Sequence, residues 1–127
     1  MATAKLEAQA GKLNIVIEQG TTFNPVLTYT DNSVPAVPID LTGYTARMQI
    51  RLKQTDVAFI VGGELTTLNG GITLGGVAGT IALLITDTVT TAFTFVSAVY
   101  DLELIDAGGI VIRLITGTVT LSTETTR

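Results

Sequence analysis

From Leu13 onward apolar and polar residues alternate with a period of two, the spacing of strands that bury one face. The cleanest run sets Tyr44, Ala46, Met48, Ile50 and Leu52 against Thr45, Arg47, Gln49, Arg51 and Lys53, which predicts a core face backed by a basic stripe. Leu13, Ile15 and Ile17 alternate in the same way before a turn at Gln19-Gly20. Residues 23–30 read as the next strand, and Pro25 assigns it to an edge or a bulge, because proline cannot donate to a ladder. Asp31-Asn32-Ser33, Pro35 and Pro38 mark a loop.

Residues 58–61, 65–68 and 72–74 predict short strands broken by Gly62-Gly63 and Asn69-Gly70-Gly71, and Asn-Gly between apolar runs signals a hairpin. A turn over 75–79 leads to a strand over 80–85. Thr86 and Asp87 offer a cap for one helical turn within 86–93. The last long strands are expected over 100–106 and 110–121, with Gly117 marking a bulge.

The final hairpin permits a register argument. If Leu102 and Leu104 point inward with Ile112 and Leu114, the loop has an odd length, and Ala107-Gly108-Gly109 is the shortest. Asp106 then faces Ile110, Leu104 faces Ile112, Glu103 faces Arg113 and Leu102 faces Leu114. The pattern as a whole predicts an all-β fold: an antiparallel immunoglobulin-like β-sandwich of eight or nine short strands, with a small barrel as the runner-up. Residues 13–127 form this one domain, preceded by an N-terminal arm over 1–12. The arm's alanines, with Leu6 and Gly11, suggest a short helix ending at Gly11.

Composition narrows the function. The 127 residues contain no Cys, His or Trp, which excludes a disulfide framework and Ser-His or Cys-His catalysis. Charged residues are 14%, against about 25% in an average soluble domain, whereas Thr occurs 23 times. A surface so poor in charge suits a chain that neighbouring subunits cover. The net charge of −4 speaks against nucleic acid, and no apolar run approaches the ~18 residues of a membrane helix. The N-terminus has no apolar stretch of the kind a secretory signal requires.

Candidate chemistry is sparse. Asp101 with Glu103, and Asp31 with Asp40, are the only carboxylate pairs worth weighing for glycoside hydrolysis, and both read as surface or turn residues. Asp31, Asn32 and Asp40 match no defined calcium loop. The glycines at 70–71, 75–76 and 79 lack the Lys and the helix of a phosphate-binding loop. No catalytic residue, metal or cofactor is expected. Glycan binding is the rival, weakened by the lack of Trp as a stacking platform. The candidate partner-binding residues are Leu6 and Lys12 in the arm and Arg47, Arg51 and Lys53 on the basic stripe. The alternative for the stripe is a solvated face neutralised by Asp101 and Glu103.

Several segments carry a family resemblance: Ile17-Glu18-Gln19-Gly20-Thr21-Thr22-Phe23, Asp40-Leu41-Thr42-Gly43-Tyr44-Thr45-Ala46, Gln49-Ile50-Arg51, Tyr100-Asp101-Leu102-Glu103-Leu104, Gly117-Thr118-Val119 and Thr125-Thr126-Arg127. In these the chain resembles small immunoglobulin-like virion proteins of tailed bacteriophages. It is also similar to the N-terminal domain of baseplate proteins that hold receptor-binding proteins. The resemblance implies a non-enzymatic, multicopy structural protein of the tail, baseplate or fibre attachment, assembled into virions in the bacterial cytoplasm. Its partners would be other virion proteins and copies of itself. A capsid decoration protein and a host-contacting carbohydrate-binding module are the alternatives.

Overall fold

Alternating side chains give a sheet one apolar face to bury, and here two sheets bury theirs against each other. The computed structural model describes residues 3–6, as backbone, and 11–126. The strands are β1 (Thr3–Leu6), β2 (Gly11–Lys12), β3 (Ile15–Glu18), β4 (Val26–Tyr29), β5 (Thr45–Arg51), β6 (Glu64–Thr66), β7 (Ile72–Leu74), β8 (Thr80–Leu83), β9 (Ser97–Ile105) and β10 (Val111–Ser122). One helical turn, α1 (Asp87–Thr91), joins β8 to β9. The four-stranded sheet runs β1-β4-β8-β7. The six-stranded sheet runs β2-β10-β9-β5-β6, with β3 also on β10.

The sandwich is the expected one in its central strands. The orders β4-β8-β7 and β10-β9-β5 follow the B-E-D and G-F-C arrangement of immunoglobulin domains. The N-terminal strands depart from a purely antiparallel plan. β1 runs parallel to β4, and β2 and β3 run parallel to β10. Residues 3–6 are therefore extended, not the helix suggested by the alanine spacing; residues 7–10 of that segment lie outside the described residues. The arm's described residues thus add a strand to each sheet, because an open sheet edge offers backbone hydrogen bonds that isolated helix formation over so few residues cannot match.

The core lies between the sheets. Ala46, Met48 and Ile50 of β5 meet Leu102 and Leu104 of β9, Leu27 and Tyr29 of β4, and Ile81 and Leu83 of β8, all buried. The predicted face of β5 is correct up to Ile50, but Leu52 is exposed because the chain leaves the sheet after Arg51. Ile60 donates its N–H to the Ile50 carbonyl at 2.8 Å, so residues 58–61 fold back as a loop and form no strand. Pro25 lies just before β4, which is an interior strand between β1 and β8; its carbonyl accepts from Leu83 at 2.9 Å and needs no donor in return. Asn69-Gly70-Gly71 does not close a hairpin: it carries the chain from β6 in one sheet to β7 in the other.

The last hairpin has the expected turn. Asp106 and Ile110 face each other through a 3.0 Å bond from the Asp106 N–H, and Gly109 takes the left-handed conformation at φ 86°. Ile112 pairs with Leu104 and Arg113 with Glu103, as the register argument requires. Leu102, however, faces Ile115 and not Leu114, because the bulge falls at Leu114. The extra residue changes the parity of β10, so Leu114 and Ile115 are both buried, and Thr116, Thr118 and Thr120 face outward in register with Asp101, Val99 and Ser97.

Gly117 has another purpose. It lies where β10 passes from β2 to β3, and a Cβ there would collide with the Leu13 carbonyl. That carbonyl accepts the Tyr100 hydroxyl at 2.6 Å, while the Leu13 N–H donates to Thr116 at 3.1 Å. Burial pushes the Tyr100 phenol from 10.0 up to about 12.

Two outcomes follow for stability. Met48→Asp or Ile50→Asp would bury an unpaired charge among the residues above and abolish the cooperative thermal transition; a normal melt would mean the faces of β5 are reversed. For Tyr100 the folded-state pKa lies above the unfolded value, so its stabilisation is complete below pH 10.0 and declines as pH rises towards about 12. Tyr100→Phe should cost about 1 kcal/mol near neutrality and lose less stability than the wild type between those two values, read by urea denaturation at each pH.

Candidate functional site

Adjacent strands in register turn the outer face of the six-stranded sheet into ordered rows. Thr66, Arg47, Glu103 and Arg113 form one row across β6, β5, β9 and β10. Glu64, Gln49, Asp101, Thr116 and Lys12 form the next, which reaches β2. Arg47, Arg51 and Lys12 are thus on one face, together with the two acids that the alternative reading invoked. Leu6 belongs to the other sheet, in register with Tyr29. Lys53 lies past the end of β5 and is exposed.

One arginine of the stripe meets an acid on the sheet, and a second ion pair lies beside it. Arg47 Nε holds Glu103 Oε1 at 2.7 Å, and Arg113 Nε stands 3.8 Å from Asp101 Oδ2. Arg113 therefore faces Glu103 in register but forms its ion pair diagonally, because Arg47 on the opposite side has the shorter reach to Glu103. Gln49 donates to Glu64 at 2.8 Å. Half-exposed pairs of this kind add at most about 1 kcal/mol each, so their main effect is to hold the face at low net charge. Asp101 and Glu103 therefore each lie beside an arginine, on one strand of the same sheet face.

Arg51 does something different. Its guanidinium donates to Gln49 Oε1 at 2.5 Å and to the backbone carbonyls of Asp56 and Val57 at 3.0 and 2.9 Å. Three backbone bonds complete the loop: Asp56 to Lys53 at 3.1 Å, Ile60 to Ile50 at 2.8 Å and Gly63 to Ile60 at 2.7 Å. The loop over 52–63 is thereby held in one shape while presenting apolar side chains outward. Val57 is 99% exposed, Val61 90%, Leu52 54% and Phe59 39%. Leu52, Val57, Ala58 and Phe59 line one shallow hollow with Asp56 and Ile60. Sequence reasoning missed this surface, having read residues 58–61 as a strand. The available signal was the run Leu52, Val57, Phe59 and Val61 beside Gly62-Gly63, with too few polar positions for a conventional loop.

The other candidate carboxylates, Asp31 and Asp40, bond local backbone. The Asp31 carboxylate accepts the N–H groups of Ser33 and Val37, each at 3.0 Å, and these bonds hold its pKa below the usual range. Asp40 accepts the hydroxyl and N–H of Thr42 at 2.6 and 2.9 Å, with the same effect, and so shapes the turn into β5. Among the described residues no three acidic side chains converge as a metal cage. Phe59 is the one aromatic among the large apolar side chains exposed there, a thin basis for sugar stacking.

The architecture can now be set beside known structures. No family model matches the chain, and no curated protein sequence does. The fold is nonetheless shared. The N-terminal domain of phage TP901-1 ORF48 superposes with a TM-score of 0.54 at 14% identity, over 96% of this chain and 96% of that one. The agreement over nearly all of both chains concerns the whole sandwich and not one sheet.

If Arg51 is the clamp on the loop, Arg51→Lys should fail to replace it, since a single ammonium cannot span two carbonyls and an amide in one plane. Hydrogen exchange of Asp56, Ile60 and Gly63 should accelerate in both Arg51→Lys and Arg51→Ala, while β9 stays protected. Unchanged exchange in the loop would remove Arg51 from this role.

Proposed function

We propose that this chain is a non-enzymatic structural component of a tailed-phage particle, present in several copies at the tail, baseplate or fibre attachment. The observation that carries the reading is the fold shared with the N-terminal domain of phage TP901-1 ORF48 over 96% of each chain. The family resemblance of the segments around Gln19, Asp40, Gln49, Tyr100 and Gly117 points the same way. Its work is adhesion to neighbouring virion proteins. The six-stranded face is held near charge balance by Arg47–Glu103 and Arg113–Asp101, so it opposes close approach less than a face of one sign would.

The contact we assign first is the loop over 52–63. Exposed apolar side chains on a preorganised backbone lose little conformational entropy on binding, which favours them as interface anchors. Val57 and Phe59 supply the apolar anchor, and Arg51 supplies the order.

Immunogold labelling of purified particles, with antibody raised against the recombinant chain, tests the function. Gold at one end of tailed particles is the expected result; gold around the heads would replace the tail reading with capsid decoration, and unlabelled intact and disrupted particles would overturn the virion reading. The loop has its own test: Val57→Asp with Phe59→Asp should leave the melting temperature within a few degrees of wild type and reduce incorporation into particles. Normal incorporation of the double variant would exclude the loop as a contact.

A further inference from the structure

The six-stranded sheet ends at β6, and a sheet edge ordinarily presents unpaired N–H and C=O groups to any passing strand. The outward groups of β6 can be identified from its ladder. Leu65 faces Met48, while the Gly63 carbonyl accepts Ile50 N–H at 2.8 Å and Thr67 N–H donates to Ala46 at 3.1 Å. Residues 63, 65 and 67 therefore turn their backbone groups toward β5. By alternation, Glu64 and Thr66 turn their backbone groups away from the sheet, and the Glu64 carbonyl and the Thr66 N–H are the two that flank Leu65.

Both are taken by a single side chain. Asn69 Oδ1 accepts the Thr66 N–H at 2.9 Å, and Asn69 Nδ2 donates to the Glu64 carbonyl at 2.9 Å. The amide thus imitates one residue of an added strand, offering an acceptor and a donor in the positions a partner's backbone would occupy. Oδ1 also accepts the Gly71 N–H at 2.8 Å, and the Thr66 hydroxyl accepts the Asn69 N–H at 3.0 Å, so the mimic is fixed in place by its own turn.

We propose that Asn69 seals the edge of β6 against strand addition, and that the partner it excludes is a second copy of this chain. An antiparallel pair of β6 edges about a two-fold axis at Leu65 would place each Thr66 N–H against the other copy's Glu64 carbonyl, so the edge is self-complementary. Charge does not guard it, because Glu64 would face Thr66 and not another Glu64. In a chain that works by packing, closing this edge leaves contact to the surfaces whose side chains select a partner. The seal itself stands on the β6 geometry alone and is independent of the virion reading.

The test compares the wild type, Asn69→Ala, and Asn69→Ala combined with Thr66→Pro by sedimentation velocity over a concentration series. Asn69→Ala should self-associate with an apparent Kd at least about tenfold below that of the wild type. Thr66→Pro removes the outward donor at a position where the ladder with β5 uses none, so the double variant should return to wild-type behaviour. A folded Asn69→Ala that associates no more than wild type overturns the proposal, as does association that Thr66→Pro fails to reverse. Hydrogen exchange on the wild type covers the case in which Asn69→Ala does not fold. The Thr66 amide should be protected despite having no strand beside it, and exchange at the rate of an unstructured peptide would overturn the seal.

Discussion

The hydrogen bond from the Tyr100 hydroxyl to the Leu13 carbonyl, made above a glycine, is the contact that completes the six-stranded sheet where its ladder is interrupted. β10 must pair first with β2 and then with β3, and the chain between them, at Leu13 and Asn14, leaves the ladder. A strand that breaks its ladder exposes backbone polar groups beside the core, where each unpaired group costs about 1–3 kcal/mol. Tyr100 comes from β9, one strand away, and satisfies the carbonyl from within the core face. Gly117 gives the Leu13 carbonyl the room to approach. Leu13 and Ile15 then pack against the core from an edge that would otherwise stand open.

The opposite end of the same sheet is ordered by side chains that act on backbone. Arg51 clamps the carbonyls of Asp56 and Val57, and Asn69 completes the edge of β6. A chain with 14% charged residues has few ion pairs to spend on order. It uses amide, guanidinium and hydroxyl bonds to carbonyls and N–H groups instead. This leaves apolar side chains such as Val57 and Val61 projecting from a hydrogen-bonded loop.

The acids and bases on the six-stranded face illustrate how a charge stripe is misread from one strand. Along β5 alone Arg47 and Arg51 look like a basic surface. In the fold each meets an acceptor: Glu103 on the neighbouring strand for Arg47, and for Arg51 Gln49 on its own strand with two carbonyls of the loop that follows. Register is a property of pairs of strands, and a stripe has no net sign until its neighbours are placed.

Period-two alternation was sufficient to define the all-β class, the buried face of β5 and the turn of the last hairpin, because each of these depends on residues close in sequence. The bulge was also legible: outward polar positions change from Arg113 to Thr116, Thr118 and Thr120, a switch of parity around Leu114. Gly117 drew the bulge to the wrong place, since a glycine needed for close approach cannot be told locally from one needed for a kink. Distant pairings were beyond local reading. That residues 3–6 join β4 in parallel is decided by a partner more than twenty residues away. The bonds of Asn69 to β6 and of Arg51 to its loop are short in sequence, but no periodic pattern signals them, because each joins a side chain to backbone. Local sequence sets which way a side chain points; only the assembled sheets decide what it meets.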